Sequence, residues 1–176
     1  IDSASTAADI TEAKTEAEGA MSALNQEITT AQAAKAAEAL AAAKTTAKSA
    51  VDKKNTQKHP FTASTYKYAI ADNYSAFAET PTVKAKLAAL NTAMTAIKDA
   101  DAGGIADAQV QAVAAMGDLN TAITTAEAAQ AAQELADDKT AAKSAVEDKN
   151  DHKDTLTETA NGYSISDAFI LDYDTV

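Results

Sequence analysis

The side chains of this 176-residue chain that could do chemistry are few. They are two histidines, two close aspartates, a recurring set of lysines and a knot of aromatics. His59 and His152 have the near-neutral pKa that suits proton transfer or metal binding, but such a role needs partners placed around the ring. Each ends a helical stretch among lysines with no partner in sight, which reads as exposed surface. Asp99 and Asp101, in "DADAGGIAD", are spaced like the start of a calcium loop. Val110 stands where that loop would place its glutamate, so a helix end and a turn account for the same residues.

Lys44, Lys48, Lys54 and Lys58 form two pairs four residues apart, and each pair shares a helix face. A solvated surface that offsets nearby carboxylates is one reading. A basic patch for an anionic wall polymer or sulfated glycan is the other. Phe61, Tyr66, Tyr68, Tyr74 and Phe77 concentrate most of the aromatics in one stretch. Tyrosine suits recognition surfaces. These residues also offer one of the few sources of a sizeable core, and that reading is preferred. Asn73-Tyr74-Ser75 is a glycosylation sequon in a eukaryotic secretory setting.

The rest of the catalytic vocabulary is missing. There is no cysteine, hence no disulfide, thiolate ligand or thiol nucleophile. No glycine-rich phosphate loop, serine-nucleophile motif or inward-facing carboxylate pair stands out. The chain is expected to be no enzyme and to need no cofactor or metal. All 15 basic residues are lysine and the net charge is −11, a poor match to nucleic acid. No apolar run is long enough to span a bilayer.

The elements that carry these residues are written twice. "TTAKSAVDKKN" at 45–55 returns as "TAAKSAVEDKN" at 140–150. Residues 10–78 align without a gap to 105–173, with about 31 of 69 positions identical. Alanine inflates that figure, so the informative matches are Met21/Met116, Leu24/Leu119, Asn25/Asn120, Ile28/Ile123, Val51/Val146, Tyr68/Tyr163 and Ile70/Ile165. The histidines do not match each other in this register. The duplication predicts two related units.

Within each copy the large apolar residues step by three and four, as a helix requires. Ala, the best helix former, supplies 47 residues but buries little area apiece, which favours thin, closely packed helices. Residues 6–58 read as one very long helix, or as two with a turn near 29–33 at "TTAQ". Pro60 ends that stretch. Residues 62–78 alternate like a strand at Tyr66, Tyr68 and Ile70 yet step like a helix at Ile70, Tyr74 and Phe77; a short helix is the preferred reading. Thr80-Pro81 then starts a helix over 82–100. Gly103 or Gly104 is expected to take the left-handed conformation past its end. The second long helix follows from about Ala106.

The stretch "VKAKLAALNTAMTAIKDADAGGIADAQVQAVAAMGDLNTAITTAE" at 83–127 resembles the FIVAR-type helical repeats of bacterial cell-wall proteins. Leu90, Met94 and Ile97 match before the short Asp/Ala loop, and Val110, Val113, Leu119 and Ile123 after it. The resemblance implies a non-catalytic surface module of a large adhesin or wall protein.

The expected fold is all-α, an elongated bundle of tandem duplicated units, each a long Ala-rich helix, an aromatic connector and a shorter helix. Residues 1–80 would be unit one and 81–176 unit two. The start at "IDSASTAADI", without Met, reads as an excised fragment or mature product. The expected role is a stalk or adhesive segment on a bacterial cell surface, as a monomer or weak dimer. Its partners would be a host protein or glycan, or neighbouring repeats of the parent protein. The rival expectation is a specific binding module that uses the Tyr-rich junction or the lysine face.

Overall fold

The computed structural model describes residues 6–57, 60–74, 76, 79–149, 156–159 and 162–165. His59, His152 and Lys58 lie outside them. Among the described residues the chain is mostly helical: α1 is Ala7–Lys54, α2 is Pro81–Asp99 and α3 is Ile105–Glu147. It is not plainly all-α. Strands β1 (Phe61–Ser64) and β2 (Lys67–Ile70) pair antiparallel, as do β3 (Leu156–Thr159) and β4 (Gly162–Ile165). Two compact units result, Ile1–Ala126 and Glu127–Val176.

The helix α1 is a single rod of 48 residues, about 72 Å long at 1.5 Å per residue. A turn at "TTAQ" does not form, because the Thr29 and Thr30 hydroxyls donate to the carbonyls of Asn25 and Gln26 at 2.8 and 2.9 Å. Back-bonding of this kind lets threonine sit inside a helix instead of breaking it. At the start, Thr6 and Asp9 form a reciprocal capping box at 2.9 and 3.2 Å. Lys53 and Lys54 in the last turn complement the helix dipole.

Of the connector expected to be a short helix over 62–78, the described residues form a hairpin and a 3-10 turn at Asp72–Tyr74, with Ala76 helical; Phe77 lies outside them. The strand pairing prevails because it turns Phe61 and Tyr68 into the core and lets the Asn91 side chain pair the Tyr68 backbone. The α2 helix starts where Thr80-Pro81 places it, although the Thr80 side chain makes no capping bond. Its end corrects a second expectation. Neither Gly103 nor Gly104 is left-handed. Asp101 Oδ1 accepts from both glycine amides, at 3.0 and 2.8 Å, and turns the chain into α3.

The core of the first unit is narrow and sits where four elements meet. Ala47 and Val51 come from the end of α1, Phe61 and Tyr68 from the hairpin, and Val83, Leu90, Met94 and Ile97 from α2. The first turns of α3 add Met116, Leu119 and Ile123. The remainder of α1 contributes no buried side chain. Among the described residues no helix is long and apolar enough to cross a membrane.

Leu90 is fully buried in this core, whereas Leu135 is 55% exposed on α3. Leu90→Ala should cost about 2–5 kcal/mol of stability, and Leu135→Ala should change it by less than about 0.5 kcal/mol. Urea denaturation followed by circular dichroism checks both.

Candidate functional site

The chemistry-bearing side chains of the first unit converge at the junction of α1, the hairpin and α2. Asp52, in the last turn of α1, is the centre. Lys48 Nζ lies 2.6 Å from its Oδ2, four residues back on the same face. The Tyr68 hydroxyl, reaching from β2, donates to its Oδ1. The carboxylate is thus held between an ammonium and a phenol.

Tyr68 is only 1% exposed, and its ring meets Phe61 edge-on at 6.2 Å. Burial, reinforced by the hydrogen bond to Asp52 and that group's charge, pushes its phenol well above the ordinary 10.0. The hydroxyl therefore stays a neutral donor across the physiological range.

A second bond set fixes the hairpin from its free edge. The Asn91 side chain on α2 accepts from Tyr68 N–H at 2.8 Å and donates to Tyr68 C=O at 3.0 Å. The amide of Asn91 thus takes the place of a neighbouring strand, pairing both backbone groups that would otherwise be left open. A two-stranded hairpin alone is marginal in water, so this contact and the burial of Tyr68 are what hold it.

The end of α1 is clasped from the other side by α3. Asn120 is 8% exposed; its Nδ2 donates to Lys54 C=O at 2.8 Å, while its Oδ1 is buried with no partner among the described residues. Gln57 Nε2 donates to Thr124 Oγ1 at 2.9 Å. Gly117 lets the Lys54 side chain pass close, since a Cβ there would stand 3.2 Å from Lys54 Cε.

The expected site residues are therefore not one surface. Phe61 and Tyr68 are core, whereas Tyr66 and Tyr74 are half-buried. Lys44 donates to the Lys98 carbonyl in the last turn of α2, meeting one of that helix's open acceptors. Lys48 is committed to Asp52, and Lys54 lies against Gly117. Asp101 Oδ1 caps the turn after α2 by accepting from the Gly103 and Gly104 amides. No group of three or more metal-ligating side chains gathers among the described residues. Sequence reasoning missed Asp52, Asn91 and Asn120, three polar residues that each have a partner 16 or more residues away. The match of Asn25 with Asn120 was the one signal that pointed to any of them.

The second unit carries its own helix–hairpin contact. Lys143 pairs with Glu147 at 3.9 Å and with Glu158 on β3. The hydrogen bond and charge of Glu158 raise the lysine's pKa, and Lys143 lowers that of Glu158. Tyr163 on β4 is raised by partial loss of solvent and by the charges of Glu147 and Glu158. These positions stand 95 residues after Lys48, Asp52 and Tyr68. The hairpin registers agree too, with Phe61↔Ile70 in one and Leu156↔Ile165 in the other.

What the junction can do chemically is limited. Both Asp52 oxygens are engaged, Lys48 is paired, and the phenol holds its proton, so the arrangement is a clasp. Comparison with protein-family models, with curated proteins and with solved structures finds no match to this chain.

Two substitutions test the clasp. Asn91→Ala leaves Tyr68 N–H and C=O unpaired and should cost about 1–3 kcal/mol, read by urea denaturation. Tyr68→Phe should cost a similar amount at neutral pH, about 1–3 kcal/mol for a bond to a charged group. The folded phenol keeps its proton where the unfolded chain, near 10.0, gives it up. Its contribution is therefore intact below that pH and falls away as pH rises above it. Denaturation midpoints of parent and Tyr68→Phe should keep a constant gap up to about pH 10 and converge as pH rises above it, and a gap that stays constant above about pH 10 would refute the assignment.

Proposed function

We propose that this chain is a non-catalytic module of a bacterial surface protein, a stalk or spacer of tandem units akin to FIVAR-type repeats. The observation that carries this reading is the disproportion of α1. Of its 48 residues only Ala47 and Val51 are buried, both near one end. A helix of that length adds reach, and little of it is used for packing in its own unit. Its stability without a core comes from alanine, which has the highest helix propensity, and from local pairs such as Lys14–Glu18 at 3.5 Å.

Charge fits the same role. A net −11 keeps a crowded extracellular array soluble and self-repelling. The 95-residue repeat, with its helix-borne Lys and Asp or Glu facing a hairpin Tyr, supports a tandem arrangement in which each unit reuses one junction.

A specific binding module is the second reading, favoured by the half-buried Tyr66 and Tyr74 at the junction. It needs a ligand whose saturable binding is lost in Tyr66→Ala with helicity unchanged. The surface reading is tested on cells. Antibody raised against the purified chain should label intact cells of the source organism, and brief surface proteolysis should remove the label. Labelling that appears only after permeabilisation would sink the proposal.

A further inference from the structure

The first turns of α3 and the matching turns of α1 carry the same side chains in opposite states. Seven residues of α3 are buried: Ala108, Ala112, Met116, Leu119, Asn120, Ala122 and Ile123. Ninety-five positions earlier, α1 has Ala13, Ala17, Met21, Leu24, Asn25 and Ile28 at six of those seven places. Of the other fifteen positions between 105 and 126, only five are identical. Within these first turns identity is therefore higher on the face that α3 buries. In α1 that face has no cover among the described residues: Met21 is 57% exposed, Leu24 48% and Ile28 46%, against 0% for Met116, Leu119 and Ile123.

We infer that the Met21–Leu24–Ile28 face of α1 is a docking site for an amphipathic helix of the α2 pattern, presented by a neighbouring repeat unit. The occupant is set by what covers the twin face. Met116, Leu119 and Ile123 share one buried cluster with Val83, Leu90, Met94 and Ile97 of α2, which step at seven, four and three residues. The polar fittings recur as well. Asn120 and Thr124, which hold the end of α1 against α3, correspond to Asn25 and Thr29.

Three departures refine the occupant's chemistry. Ala23 replaces Asp118, which pairs with Lys86 of α2 at 2.8 Å, so the occupant needs no lysine at that point. Glu27 replaces Ala122, so a cation on the occupant facing it would be favoured. Ser22 replaces Gly117, where an added Cβ meets only the flexible end of a lysine, which can shift.

The inference rests on the repeat reading but not on where the parent protein resides, so failed labelling of intact cells leaves it standing. The chain has no cysteine, which makes single-cysteine labelling clean. The test extends the full chain with a second copy of residues 33–104 placed directly before Ile10, so that the α2–α3 loop enters Ile10 as it enters Ile105. In the extended chain, Met21→Cys should react with a maleimide at least about tenfold more slowly than in the parent chain, the protection of a buried site that must open to react. Leu135→Cys should react equally fast in both. Amide hydrogen exchange over residues 17–28 of the unsubstituted extended chain should slow in step. Unchanged reactivity at Met21→Cys, with exchange over 17–28 as fast as in the parent, would overturn the inference.

Discussion

The scarcity of large apolar side chains governs this molecule. Nine of the largest fully buried residues, from Val51 to Ile123, stand in one cluster, and everything else in the first unit is arranged to bring them together. Alanine lets helices come close but removes little surface from water, so it cannot hold them alone. The end of α1, the hairpin, α2 and the first turns of α3 meet because those elements carry the Val, Leu, Met, Ile, Phe and Tyr that the rest of α1 either lacks or leaves exposed. The remaining helix is stable on propensity and capping, and free of tertiary duties within its own unit.

Polar groups at the junction complement that small core. Burying Tyr68 brings a hydroxyl out of water, and Asp52 accepts it. Ending α1 beside α3 leaves a carbonyl open, and Asn120 donates to it. Docking β2 by its edge exposes a backbone pair, and Asn91 supplies both partners. Each bond contributes modestly in itself. Each would cost more if its partner were missing, and this asymmetry ties the register of the hairpin to that of both helices.

Much of this was legible in the sequence, and the illegible parts share a cause. Helix boundaries at Thr80-Pro81 and near Ala106 were readable because proline, glycine and three-four spacing are local signals. The single rod of α1 was left open, since Thr29 and Thr30 look like a turn until their hydroxyls are seen to back-bond. The hairpin was misread because four-residue strands hold too few alternations to beat a competing helical period. Asp52, Asn91 and Asn120 could not be singled out, because side chains with partners 16, 23 and 66 residues away carry no local signature.

Sequence is blind in one further way, and the two copies of the apolar stripe isolate it. Met21, Leu24 and Ile28 are written like Met116, Leu119 and Ile123, yet one set is open and the other closed. Periodicity specifies that a face is fit for burial; it does not specify what buries it. An exposed apolar face weakens solubility, and nothing in helix formation requires Met, Leu and Ile rather than the Ala and Lys around them. Over 105–126 six of the seven buried positions are identical in the two copies, against five of the fifteen others. A constraint weighted towards the face that is buried in one setting and bare in the other is a constraint on contact, so the bare face is best understood as half of an interface.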